Sequence, residues 1–185
     1  MIKKKSRICP VEHAGSLDLK IRRWIQNPQK VLAPYIREGM TILEIGCGPG
    51  FFTFDMAQMV GASGRVIAAD LQQGMLEKIQ LKMQESEVKG RITLHKCEEH
   101  AIGITDRIDF VLSFYMVHEV SDKKLFFTEI ESILNENGSV LIVEPPFHVS
   151  QETFEKMIRI AEGAGLRIGD RPKLFLNKVV LLKKQ

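Results

Sequence analysis

Three glycines alternate in the stretch LEIGCGPG, at Gly46, Gly48 and Gly50, directly after an apolar run. Glycine loses more conformational freedom on folding than any other residue. A chain therefore uses several together where the backbone needs a positive φ or must approach a ligand closely. The stretch indicates either a nucleotide-like binding loop or simply a tight turn between two elements.

Two carboxylates near this loop restrict the chemistry of the ligand. Glu44 lies two positions before Gly46, where a negative charge disfavours a phosphate but suits an ammonium or sulfonium group. Asp70 ends the next strand-like run, 20 residues after Gly50, where it can accept hydrogen bonds from both hydroxyls of a ribose. Capping of the following helix is the competing role for Asp70. Together these features predict an adenosine-containing cofactor without a pyrophosphate, and S-adenosylmethionine fits that description.

The elements that must position these residues alternate between short β-like runs and longer helical patterns, which is typical of an α/β fold. Two further strand-like runs in residues 166–185 have no room for a helix between them and are predicted to pair antiparallel. We therefore expect a doubly wound, seven-stranded, mostly parallel sheet with an antiparallel edge pair. The other predicted strands are residues 40–45, 65–70, 91–96, 108–113 and 139–144, and the predicted helices are residues 51–60, 73–86, 123–134 and 151–164.

Residue types at the helix ends support these boundaries. Asp122 and Ser150 precede the third and fourth predicted helices and are expected to be their N-caps. Gly138 and Gly165 follow the same two helices and suit their exits.

The segment before the glycine loop is predicted to be a helical extension folded over the sheet. In NPQKVLAPYI, Asn27 is the expected N-cap of a short helix and Pro28 its first residue. We expect a single domain over residues 1–185, in which residues 1–38 form an N-terminal helical extension and lid and residues 39–185 form the cofactor-binding sheet.

From about residue 27 to its C-terminus, the sequence resembles the class I S-adenosylmethionine-dependent methyltransferases. LEIGCGPG resembles the first motif of that family, VIAADL the second, and IDFVLSFYMVHEVSD the motif of the fourth strand. The resemblance implies a Rossmann-like seven-stranded sheet with a helical extension, S-adenosylmethionine as the cofactor, and methyl transfer as the activity.

The resemblance also implies roles for single residues. Leu71 is expected beside the adenine, and Ser113 and Phe114 near the methionine part of the cofactor. Where the family usually has an aspartate for the adenine amino group, this chain has Cys97 followed by Glu98, so the Glu98 side chain or its backbone amide is expected to replace that contact. The implied cofactor-binding residues are Glu44, Gly46, Gly48, Gly50, Asp70, Leu71, Cys97, Glu98 and Ser113.

Methyl transfer from a sulfonium does not require a particular catalytic side chain. The cofactor carries its own activated leaving group, so alignment of the reactants can suffice. A base is needed only where the acceptor must lose a proton, and the candidates are His13, Tyr115 and His118. For His118, an orienting or capping role at a helix entrance is the alternative.

The stretch EPPF, residues 144–147, resembles a motif of methyltransferases that modify exocyclic amines of nucleic-acid bases. That motif ends the fourth strand, whereas EPPF ends the fifth predicted strand. A strand-terminating turn is therefore expected here.

Composition disfavours several other classes of protein. No apolar run is long enough for a membrane span and no hydrophobic segment follows the basic N-terminus, so we expect a cytoplasmic protein with no membrane partner. The net charge of +3 comes largely from the chain ends, which disfavours a nucleic-acid partner. Three widely spaced cysteines predict reduced thiols and no metal site. A thiolate site for a metal or metalloid around Cys9 and His13 is the alternative.

The acceptor is expected to be a small molecule. Only six residues, PPFHVS, separate the fifth predicted strand from the next helix, which leaves no room for an inserted substrate domain. The alternatives are a methyltransferase acting on a protein or RNA partner and a non-catalytic cofactor-binding subunit. The sequence makes no prediction of the acceptor atom or of the oligomeric state.

Overall fold

A computed structural model of the protein describes residues 26–185. Cys9, the candidate base His13 and the rest of residues 1–25 lie outside the described residues. The described chain forms one seven-stranded sheet with helices on both faces, and the predicted fold is confirmed.

The strands run in the order β3-β2-β1-β4-β5-β7-β6. All neighbours pair in parallel except β7, which is antiparallel to both β5 and β6. The strands are β1 Thr41–Ile45, β2 Arg65–Asp70, β3 Ile92–Lys96, β4 Ile108–Phe114, β5 Leu134–Glu144, β6 Leu166–Asp170 and β7 Lys178–Lys184. The helices are α1 Pro28–Leu32, α2 Thr53–Met59, α3 Gln73–Met83, α4 Lys123–Ile133 and α5 Gln151–Glu162.

The strand order reverses between β1 and β4, which are neighbours although two βα units separate them in sequence. In open α/β sheets, the crevice at the carboxyl ends of the strands at such a reversal is where ligands bind. Alternate residues of β1 contribute to two separate cores, with Leu43 packed towards α4 and α5 and Ile42 towards α1, α2 and α3. Because both faces are covered, the edge where the strands end is left for a binding site.

Three predicted N-caps are confirmed. The side chains of Asn27, Asp122 and Ser150 each accept a hydrogen bond from the backbone N–H three residues further on, at 2.9–3.1 Å. These bonds satisfy donors that the first turn of a helix leaves without intrahelical partners.

The predicted exit of the third helix at Gly138 is wrong. Helix α4 ends at Ile133 and β5 begins at once, so that Gly138 lies within the strand. The register of β5 against β4 shifts between Leu134 and Ser139, and a Cβ at Gly138 would lie 2.9 Å from the carbonyl oxygen of Asn135. The glycine is therefore needed for a close backbone approach in a bulge rather than for a helix C-terminus.

The described part of the N-terminal extension belongs to the core of the sheet. Leu32 and Ile36 are buried, and the ring of Tyr35 stacks on Phe110 of β4 at 5.8 Å between centroids. Residues 26–38 thus pack against one face of the sheet.

Replacement of Phe110 tests this packing. We expect Phe110→Ala to lower the free energy of unfolding by about 3 to 5 kcal/mol, because the side chain is fully buried and its removal leaves a cavity. The control Phe147→Ala removes an 88% exposed side chain and should change the same quantity by less than about 0.5 kcal/mol. Urea unfolding of both variants measures the difference, and equal losses would contradict the packing described.

Candidate functional site

A cavity of about 880 Å³ opens at the carboxyl ends of the strands. Its lining comes from the loop after β1, the end of β2 and the start of α3, the loop after β3, the segment after β4, and α4. The cavity therefore coincides with the reversal of strand order between β1 and β4. Its size is within the range of about 300 to 1,000 Å³ that small-molecule sites show.

The three glycines after β1 all have positive φ, at 72°, 53° and 84°. Gly46 lies against Met116, whose Cγ would be 2.5 Å from a Cβ at that position. Gly50 does not line the cavity and instead packs on α3, with Ile79 Cγ1 at 3.0 Å from a Cβ. Gly48 lines the cavity, and a Cβ there would have no atom within 4 Å. The loop thus presents bare backbone and open space to a ligand at Gly48.

Asp70 connects the glycine loop to α3. Its Oδ2 accepts from the backbone N–H of Gly48 at 2.9 Å and its Oδ1 from that of Gln72 at 2.8 Å. Burial raises the pKa of this carboxyl, and the backbone hydrogen bonds oppose that effect. An ionised carboxylate has about four acceptor positions, so each oxygen keeps capacity for one more donor. Asp70 can therefore organise the loop and accept ribose hydroxyls at the same time.

Glu44 is a second buried acid in the cavity wall, with 3% of its surface exposed. Its Oε2 accepts a hydrogen bond from the hydroxyl of Thr53, the first residue of α2. A buried carboxylate that lines a cavity favours a cationic group on the ligand, as expected from its place in the sequence.

The expected adenine side is largely apolar. Leu71, Cys97 and Ile102 line this part of the cavity together with Glu98. Burial, with nearby Asp70 and Glu129 charges, raises the pKa of Cys97 to about 11, so the thiol stays protonated. The backbone N–H of Glu98 donates to Ala101 O at 3.0 Å, and the Glu98 carboxylate is an acceptor that could meet an adenine amine.

The fourth-strand motif divides between the cavity and the core. Phe114 lines the cavity, whereas Ser113 is fully buried and does not line it. Within residues 26–185, the hydroxyl oxygen of Ser113 has no hydrogen-bond partner.

Neither described base candidate presents an uncommitted proton acceptor to the cavity. Tyr115 lines the cavity, but its hydroxyl accepts from Gln26 Nε2 at 2.7 Å and donates to Asn177 Oδ1 at 2.6 Å. His118 does not line the cavity, and its Nδ1 lies 2.5 Å from Glu144 Oε2.

Sequence reasoning missed a wall of the cavity formed by Met116, Glu119, Asp122 and Glu129. Glu129 of α4 accepts from the backbone N–H of Ile102 at 2.6 Å, which ties the loop after β3 to α4. No short motif marks these residues, because their place depends on how α4 packs against a loop distant in sequence.

Two further features are absent from the described residues. Among residues 26–185, no group of three or more His, Cys, Asp or Glu side chains is arranged to hold a metal ion. None of the helices in this part of the chain combines the length and the apolar character of a bilayer span.

A comparison with known protein families identifies the family to which this chain belongs. The family model described as "Methyltransferase domain" matches residues 36–169, which is most of the chain. The chain belongs to this family. The resemblance inferred from the sequence motifs is thereby confirmed, and the family and the fold imply S-adenosylmethionine as the cofactor.

Individual methyltransferases show the extent of the similarity. The chain is 31% identical over 121 residues to a demethylmenaquinone methyltransferase of Lactococcus lactis, covering 63% of this chain and 48% of that protein. It is 27% identical over 110 residues to the ubiquinone/menaquinone biosynthesis C-methyltransferase UbiE of Cellvibrio japonicus, covering 59% and 44%. The chain therefore spans about half the length of these curated relatives.

A solved structure matches almost the whole chain. The crystal structure of a SAM-dependent methyltransferase from Aquifex aeolicus is 26% identical, with a TM-score of 0.85, and the match covers 95% of this chain and 98% of that one. The seven-stranded sheet with its antiparallel edge pair is thus the methyltransferase fold.

Asp70 provides the most direct test of the site. We expect Asp70→Ala to raise the dissociation constant for S-adenosylmethionine by at least about tenfold, because each hydrogen bond to a charged acceptor contributes roughly 1.5 to 3 kcal/mol. The melting temperature should also fall, because Gly48 and Gln72 lose their acceptor. Asp70→Asn keeps one acceptor oxygen and should be milder.

The control is Asp106→Ala, which removes a half-exposed carboxylate that pairs with Arg65. Calorimetry and thermal melts on all three variants separate the two roles of Asp70. A lowered melting temperature with unchanged affinity would exclude Asp70 from the cofactor site.

Proposed function

We propose that the protein transfers the methyl group of S-adenosylmethionine to a small-molecule acceptor. The observation that carries the proposal is that the glycine loop, both acids and the segment after β4 line one cavity of about 880 Å³. That volume is near the upper end of the usual range for small-molecule sites, so it suits a cofactor and a small acceptor together.

The residues of the cavity fit the cofactor. Bound S-adenosylmethionine supplies a methyl group on a positively charged sulfur that leaves without further activation. The Glu44 carboxylate would face the cationic amino-acid part, Asp70 would accept from the ribose, and Leu71 with Ile102 would cover the adenine. Gly48 leaves the space for this approach.

Catalysis is assigned to alignment of the two reactants. The hydroxyl of Tyr115 has two partners and His118 is bonded to Glu144, so neither described candidate is placed as a base in the cavity. Orientation alone can contribute roughly 7 to 11 kcal/mol to lowering a barrier.

The names of the relatives support a small-molecule acceptor over a macromolecule. Their names specify demethylmenaquinone and the biosynthesis of ubiquinone and menaquinone. We infer that the acceptor of this chain is a molecule of the quinone or quinol type.

The lid role of residues 1–38 is part of the same proposal. Gln26 donates to the hydroxyl of Tyr115, a residue that lines the cavity. This position supports a role of the N-terminal segment in covering the acceptor.

A cytoplasmic location and the absence of a membrane or nucleic-acid partner also remain our proposals. Cys47 and Cys97 are free thiols in the described chain, as a reducing compartment allows. The modest net charge of +3 supports an uncharged or small partner over a nucleic acid.

A protein partner is the second candidate acceptor, because a small apolar surface lies at the same edge of the sheet. Phe147 follows β5, while Phe175 and Leu176 precede β7, and all three are exposed. Lys178 Nζ donates to Pro146 O at 3.1 Å, which brings the two loops together.

Incubation with radiolabelled S-adenosylmethionine and a panel of acceptors separates these candidates. We expect label in the small-molecule fraction, with quinol-type acceptors included in the panel, and a strong decrease with Asp70→Ala. Label in protein would favour the second candidate, and label in RNA would contradict both candidates. Label in neither fraction, despite cofactor binding, would indicate a non-catalytic cofactor-binding subunit.

Cofactor choice provides a second prediction. We expect calorimetry to show binding of S-adenosylmethionine and S-adenosylhomocysteine and no measurable binding of NAD, because the buried Glu44 carboxylate repels a pyrophosphate. Tighter binding of NAD would contradict the assignment.

A further inference from the structure

Glu144, the last residue of β5, is a carboxylate with 1% of its surface exposed. Its Oε2 lies 2.5 Å from Nδ1 of His118, and its Oε1 accepts from the backbone N–H of His118 at 3.2 Å. Within the described residues, His118 is thus the hydrogen-bond partner of both carboxylate oxygens. A buried charge of this kind is costly without its partner, so the two residues must stay together.

This pair fixes the segment that follows β4 to the end of β5. Tyr115 has a φ of 61° and donates its backbone N–H to Val143 O at 2.7 Å. Three residues later, His118 bonds to Glu144, the next residue of β5. A non-glycine residue with positive φ persists where the surrounding contacts hold it, and these two attachments supply such contacts.

Between the two attachments lies Met116, which contacts the glycine loop. A Cβ at Gly46 would lie 2.5 Å from Met116 Cγ and 2.9 Å from Met116 Cβ. Met116 and Glu119 line the cavity, whereas His118 and Glu144 do not. The position of this cavity wall therefore depends on a pair of residues outside the cavity.

We propose that Glu144 and His118 are positioning residues for the cofactor site, which hold Met116 and Glu119 against the glycine loop and thereby set cofactor affinity. The inference goes beyond the proposed function, because it does not depend on the acceptor. EPPF marked Glu144 in the sequence only as a strand end, and His118 was predicted as a base or an orienting residue.

The charge of His118 makes the pair sensitive to pH. The hydrogen bond to Glu144 is the largest cause that raises the pKa of His118, burial opposes it, and Glu119 on the same turn raises it further. Lys123 at the start of α4 acts in the opposite direction. A histidine whose pKa is raised in the folded protein stabilises the fold fully below about pH 6.5, its ordinary pKa. This stabilisation is lost as the pH rises through the raised pKa. Cofactor affinity should fall over the same interval.

Glu144→Gln tests the proposal by calorimetry with S-adenosylhomocysteine at pH 6 and pH 9. We expect the dissociation constant to rise about tenfold over wild type at pH 6, and this ratio to shrink several-fold at pH 9, where wild-type His118 carries less positive charge than at pH 6. Taking the ratio to wild type cancels ionisation of the ligand itself. The control Glu155→Gln removes a carboxylate that pairs with Arg171 outside the cavity, and its ratio should stay near one at both pH values.

His118→Asn decides the question where Glu144→Gln does not fold. Asparagine keeps an N–H donor for Glu144 but carries no charge, so the cofactor affinity of this variant should be weaker than wild type at pH 6, approach it at pH 9, and lack the wild-type pH dependence. The proposal would be overturned if the dissociation constant of a folded variant stayed close to that of wild type at both pH values. It would also be overturned if the variant lost the same factor in affinity at pH 6 and at pH 9. Failure of the wild-type protein to bind at either pH would overturn the proposed function and this inference with it.

Discussion

Two backbone N–H groups donate to the buried carboxylate of Asp70, and the candidate site depends on this arrangement. Burial raises the pKa of this carboxyl, and the hydrogen bonds from Gly48 and Gln72 oppose that effect because they favour its ionised form. In return, the carboxylate holds the glycine loop of β1 and the start of α3 at one point. The backbone of Gly48 then faces the cavity, and no side chain at this position occupies the space that a ligand would use.

A second buried carboxylate, at the end of β5, also holds a loop in place. Glu144, like Asp70, is a buried acid on the last residue of a parallel strand, and its bonds to His118 hold the segment after β4. The sheet interior is apolar and closely packed on both faces, so the polar groups that position loops concentrate where the strands end. The reversal of strand order between β1 and β4 opens the space between the two fixed segments.

The sequence predicted what local residue types determine. Alternating elements predicted the parallel sheet, and short polar residues predicted the caps at Asn27, Asp122 and Ser150, because capping depends on contacts within one turn. Gly138 was misplaced, because the bulge that requires a glycine arises only when β5 pairs with β4.

The cavity wall could not be predicted in the same way. Glu129 meets Ile102 and Met116 meets Gly46 only in the folded chain, through contacts between segments far apart in sequence. The bond between Glu144 and His118 likewise joins the end of β5 to the segment that follows β4. The most direct test of the central claim is a crystal structure with S-adenosylhomocysteine. The account predicts density in this cavity, with the ribose hydroxyls on Asp70 and the amino-acid part beside Glu44. Density elsewhere on the protein, with this cavity empty, would contradict it.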